Sequence, residues 1–99
     1  MNNSDRDLKE LFNVILKLQT AEDCEILFED LCTKTEIYSM AQRVRAASLL
    51  KSGHTYEQII GETDISSATL SRVSKCLKYG EGYKKFIEPA EGRDDSERT

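Results

Sequence analysis

Residues 55–79 read TYEQIIGETDISSATLSRVSKCLKY, a pattern that describes a helix-turn-helix. Thr55 and Gln58 stand at the spacing of a capping box, in which the threonine hydroxyl accepts from the Gln58 amide and the Gln58 side chain returns to the Thr55 backbone. Ile59 and Ile60 are the apolar residues of the short helix that follows. Gly61 to Asp64 carries the turn, Ile65 re-enters the core, and Ser66 caps a second helix. In that helix Ala68, Leu70, Val73 and Leu77 are expected to face inward, leaving Ser67, Thr69, Ser71, Arg72, Lys75 and Lys78 largely outward. Small hydroxyl residues let a helix end approach base edges, while arginine and lysine further along reach phosphate oxygens. A two-helix hairpin with a merely solvated charged face would share the periodicity. The spacing of the isoleucine pair, the turn and the Ser-x-x-Thr start favours the DNA-reading motif. Two residues depart from its pattern: Ile60 stands where a small alanine packs between the helices, and Asp64 stands where glycine supplies the positive φ of the turn. Aspartate tolerates that conformation better than most residues.

A chain of 99 residues makes one domain with a modest core, and a partner subunit would enlarge it. The three cysteines, Cys24, Cys32 and Cys76, lack metal-ligand or redox spacing, and the single His54 has no companions for a zinc set. No metal site is expected, and the cysteines read as buried thiols of a reducing cytoplasm. No stretch is long and apolar enough for a membrane span, and the polar start MNNSDRD resembles neither a signal peptide nor an anchor. The protein is therefore expected to be soluble and cytoplasmic.

A net charge of −4 is unusual for a DNA binder, so its distribution matters. Residues 1–33 hold eight acids against three bases, residues 34–88 nine bases against six acids, and residues 89–99 four acids against two bases. Within 66–85, Arg72, Lys75, Lys78, Lys84 and Lys85 face only Glu81, a basic patch on an acidic molecule. Such a chain should bind nucleic acid more weakly, and with more salt sensitivity, than a uniformly basic domain.

The remaining sequence is helical throughout. Ser4 is placed to cap a first helix with the stripe Leu8, Leu11, Phe12, Ile15 and Leu18. Thr20 with Asp23 starts a second, bearing Cys24, Leu27, Phe28, Leu31 and Cys32. Thr33 and Glu36 form a capping box for a third and longer helix through Ile37, Met40, Ala41, Val44, Ala47 and Leu50, ended by Gly53 in a left-handed conformation. Gly80 to Gly82 breaks the recognition helix, and Tyr83, Phe86 and Ile87 make a last short helix that Pro89 ends. The expectation is an all-α fold of six helices over 1–88, with the helix-turn-helix at about 55–79. Residues 89–99 read as a disordered acidic tail.

The stretches LCTKTEIYSMAQRVRAASLLKSG and TYEQIIGETDISSATLSRVSKCLKYG together resemble the tryptophan repressor family, in particular its YerC/YecD-type branch. The likeness covers roughly residues 28–88 and is most specific in SATLSRV. It implies an intertwined homodimer that presents two recognition units to successive major grooves of double-stranded DNA, and it carries over best to residues 66–72. The wide apolar stripes of the first helices single out Leu11, Phe12, Ile15, Phe28 and Leu31 as dimer contacts. Ser66, Ser67, Thr69 and Ser71 are then expected near bases, with Arg72, Lys75 and Lys78 on the backbone.

In the family a tryptophan corepressor lies between an arginine of the third helix and one of the recognition helix, the latter matched by Arg72. Counting back from Leu49-Leu50 puts Gln42 at the third-helix position, and Arg43 reaches it only with a one-residue slip. Val73 replaces a glycine and Cys76 a serine. A branched side chain in the path of the ring would cost about 1–3 kcal/mol, roughly a ten- to hundredfold loss, so tryptophan is disfavoured and no cofactor is assigned. The expected function is a sequence-specific transcriptional regulator, a repressor, on a near-palindromic operator. The alternative is a helix-turn-helix that docks protein. No catalytic residues are assigned, because no carboxylate pair, Cys/His arrangement or phosphate loop stands at a spacing that chemistry requires.

Overall fold

The structure is a computed structural model, and it describes residues 2–90. It contains six helices: α1 (Asn3–Ile15), α2 (Ala21–Leu31), α3 (Lys34–Lys51), α4 (Tyr56–Glu62), α5 (Ser67–Tyr79) and α6 (Gly82–Phe86). Among the described residues all regular structure is helical. The chain divides into two compact units, Met1–Ile37 and Tyr38–Thr99.

In the first unit each helix start is fixed by a side chain within a few residues of it. Asn2, not Ser4, caps α1, its Oδ1 accepting from the Asp5 amide at 2.8 Å. The run Asn2-Asn3-Ser4-Asp5 holds four competent caps, so composition alone could not choose among them. Thr20 Oγ1 accepts from the Asp23 amide at 3.0 Å, and the Asp23 carboxylate accepts from the Gln19 amide. Thr33 and Glu36 close the expected box, at 3.1 and 2.8 Å. No residue of α1 or α2 is buried. Leu8, Phe12, Leu16, Ile26 and Leu31 are exposed, Phe12 by 55% and Leu31 by 50%, while Leu11, Ile15 and Phe28 are half-buried.

The second unit holds the core: Ala46, Ala47 and Leu49 of α3, Ile59, Ile65, Leu70, Val73 and Ala90, with Leu50, Tyr83 and Ile87 packed against them. The inward face of α3 differs from expectation, since Ala41 and Val44 are exposed while Ala46 and Leu49 are buried. Apolar residues lie on almost every side of this helix, so periodicity could not select one stripe. The α3 C-terminus ends as anticipated at Gly53, whose φ of 93° is the left-handed conformation that spares glycine a side-chain clash.

His54 follows at once and is buried. Ser52 Oγ donates to the Leu49 carbonyl at 2.9 Å and also lies 2.9 Å from His54 Nδ1. The other ring nitrogen, Nε2, stands 3.4 Å from the Glu62 carboxylate, at the end of α4. The sole histidine is thus a spacer between the end of α3 and the helix-turn-helix.

The segment after α6 is strapped to α3. Lys51 Nζ donates to the carbonyls of Lys84 and Ile87 at 3.0 and 2.7 Å, Ser48 Oγ to that of Glu88 at 2.8 Å, and the Ala90 amide to the Ser48 carbonyl at 3.0 Å. The boundary placed at residue 89 therefore falls too early, because Ala90 is a buried core residue. A single alanine beside a proline carried no hydrophobic signal, and its burial comes from the hydrogen bonds around it. The rest of the anticipated tail, residues 91–99, lies outside the described residues.

Candidate nucleic-acid interface

The helix-turn-helix is built as its local sequence dictates. Thr55 and Gln58 form the reciprocal box at the start of α4, at 3.1 and 2.9 Å. Ile59 is fully buried, whereas Ile60 is turned outward, so its bulk never enters the helix-helix contact where a small residue was expected. The turn also departs from expectation at Asp64, since no residue other than Gly53 has a positive φ among the described residues. Thr63 holds it instead: its hydroxyl donates to the Ile59 carbonyl at 2.8 Å and accepts from the Ile65 amide at 3.3 Å. Side-chain chemistry replaces the left-handed backbone.

Ser66 caps α5, its Oγ accepting from the Thr69 amide at 3.2 Å and donating to Thr69 Oγ1 at 3.0 Å. Leu70 and Val73 are buried and Leu77 half-buried, which orients the helix. Ser66, Ser67, Ser71, Arg72, Lys75 and Lys78 are all exposed, while Thr69 is half-buried and engaged with the cap. Ala68 was expected inside and is exposed. At 100° per residue, Ala68, Arg72, Lys75 and Tyr79 form one outward stripe, opposite Leu70, Val73 and Leu77. The hydrophobicity of alanine suggests a core position for residue 68, but its angular position, close to that of Lys75, identifies it as part of the outer face. Among the described residues neither Arg72 nor Lys75 pairs with a carboxylate, whereas Arg45 lies 4.0 Å from Glu62.

Beside this face lies a cleft of about 280 Å³ lined by Arg43, Thr69, Arg72, Val73, Cys76 and Tyr83. The α3 cation is therefore Arg43, and the register that chose Gln42 was one residue off. Gln42 lines a shallower depression with Tyr38, Ala41, Arg45, Thr63 and Asp64. Val73 is a core residue that forms one wall of the cleft and does not fill it. The cysteines are corrected as well: Cys24 and Cys76 are exposed and Cys32 is half-buried. Among the described residues no cluster of histidine, cysteine and carboxylates could hold a metal, and no helix is long and apolar enough to cross a membrane.

A capped short helix, a turn without glycine and a second helix with a cationic outer face define a helix-turn-helix protein. Residues 6–91 match the family model described as Trp repressor protein, and the chain belongs to that family. Over 75 residues it is 51% identical to the uncharacterized protein YerC of Bacillus subtilis strain 168, covering 76% of this chain and 72% of the relative. A crystal structure of a candidate Trp repressor from Staphylococcus aureus superposes with a TM-score of 0.78 at 44% identity, covering 80% of each chain. A TrpR-like protein from Eubacterium eligens ATCC 27750 gives 0.79 at 37% identity, covering 84% of this chain and 93% of that one. The six-helix fold is thus of the TrpR-like type, that of a family of regulators and not of enzymes.

Proposed function

We propose that the protein is a transcriptional repressor that binds a near-palindromic operator as an intertwined homodimer in the cytoplasm. The observation that carries the reading is the outer face of α5, where Ser67, Ser71, Arg72, Lys75 and Lys78 stand exposed around a small Ala68, with Arg72 and Lys75 unpaired among the described residues. Hydroxyls and a methyl-sized residue suit base edges, the cations suit phosphates, and Ser66 fixes where the helix begins. The unburied apolar faces of α1 and α2, including Phe12 and Leu31, support a second copy as their cover.

Operator binding in this proposal does not depend on tryptophan. Arg43 and Arg72 flank the cleft, so a missing α3 cation is no argument against the amino acid. Val73 and Cys76 instead wall the cleft where the family carries a glycine and a serine, and the branched Val73 narrows the space open to an indole ring. Selection of bound duplexes from a random pool, with and without tryptophan, tests the whole reading. The expected result is convergence on one near-palindrome under both conditions. Recovery of no common sequence would favour a protein-docking module, and enrichment only with tryptophan would restore the corepressor.

A further inference from the structure

The outward stripe of α5 does not end at its cations. Tyr79 is the last residue of the helix and 76% exposed, on the same face as Ala68, Arg72 and Lys75. Tyr79 there presents a ring with a hydroxyl donor to whatever the stripe meets. Lys78 Nζ lies over its ring at 5.6 Å from the centroid. A neutral donor and a cationic donor therefore stand side by side.

Their position along the helix indicates what they meet. From Ser67 to Tyr79 the axis runs about 18 Å at 1.5 Å per residue, whereas the major groove is about 12 Å wide. With the Ser66 end among the bases, the Tyr79 end has reached the sugar-phosphate wall. The helix C-terminus carries partial negative charge that would repel a phosphate, and Lys78 in the last turn offsets it. We propose that Lys78 and Tyr79 form a two-donor clamp on the DNA backbone, the Tyr79 hydroxyl donating to a phosphate oxygen and Lys78 supplying the charge. Tyr79 is then a positioning residue that sets how far the helix enters the groove and reads no base. The inference rests on α5 being the recognition helix.

The two donors differ in a measurable way. A cation on phosphate displaces counterions and adds to the salt dependence of binding, whereas a neutral hydroxyl adds affinity without changing that slope. The full-length protein and its Y79F, K78A and Tyr79→Lys variants are titrated over a salt series with two probes, a duplex recovered by the selection above and a scrambled duplex of the same composition. Y79F is expected to weaken binding to both duplexes by the same factor, roughly three- to tenfold, at unchanged slope. K78A lowers the slope by about one, and Tyr79→Lys raises it by about one. Wild-type binding with Y79F within about twofold of it on both probes overturns the clamp and leaves the operator reading intact. A loss confined to the selected duplex also overturns it, since that is a base contact. If the wild type retains neither duplex, clamp and operator reading fall together.

Discussion

Arg72 and Lys75 are exposed and differ from Arg43, Arg45 and Lys51 of the second unit in having no use within the described fold. Arg45 reaches Glu62, Lys51 holds two carbonyls and Arg43 touches Ser39 Oγ. Changing Arg72 or Lys75 to alanine should cost about 1–3 kcal/mol of operator binding where the contact is to a base, or lower the salt slope by about one where it is to phosphate. Thermal unfolding should stay within about 0.5 kcal/mol of the parent, as for other exposed substitutions. Equal affinity and slope in both variants would remove these residues from the interface. Ala68 gives a different test. Because its side chain is exposed, Ala68→Leu should leave stability nearly unchanged, yet a bulkier residue pressed against base edges should lower affinity by about 1–3 kcal/mol, by analogy with overpacked cores. Undiminished binding by Ala68→Leu would mean that the α5 N-terminus does not approach the bases.

At the scale of elements, most of the structure was legible because helix starts are written in three or four adjacent residues. Thr20, Thr33, Thr55 and Ser66 each sit three positions before the amide they cap, and all four were read directly. The α1 start failed because four capping residues are adjacent, and the α3 face failed because apolar residues surround it. The turn was misread at Asp64 because the Thr63 hydroxyl, two bonds from its Cα, can do what a left-handed residue does, and that choice depends on three-dimensional contact. Two glycines separate local propensity from packing. A side chain at Gly61, inside α4, would meet nothing within 4 Å, whereas a Cβ at Gly80 would stand 2.7 Å from the Cys76 carbonyl oxygen. Gly61→Ala should therefore raise stability by roughly 0.5–1 kcal/mol, while Gly80→Ala should lower it by at least about 1 kcal/mol through displacement of the α5 end. Denaturant midpoints of the two variants moving in the same direction would refute the distinction.

At the scale of the whole molecule, the first unit has helices without a core. Phe12 and Leu31 are exposed on helices that bury no residue, a condition that a second copy would relieve. Light scattering at micromolar concentration should give twice the chain mass, and Phe12→Asp or Leu31→Lys should return it to that of one chain and reduce operator affinity. A wild-type monomer would leave those faces for another partner. The cleft illustrates the limit of reading a site from sequence: a one-residue register error on α3 moved the cation from Arg43 to Gln42, a rotation of about 100° on a helix. Which α3 side chain lines the cleft follows from burial of Ala46, Ala47 and Leu49, and a sequence count anchored on the Leu49-Leu50 pair could not reach that accuracy.

The strap from Lys84 to Ala90 bears on how the chain tolerates shortening. Trimming an acidic terminus to improve handling would naturally stop at the last helix or the proline, and two residues then decide the result. A protein ending at Ala90 keeps the amide that donates to Ser48 and the methyl that closes the core, whereas one ending at Glu88 loses both and leaves a free carboxylate beside the Ser48 hydroxyl. The form ending at Glu88 should melt earlier than the form ending at Ala90, by about 1–3 kcal/mol of stability.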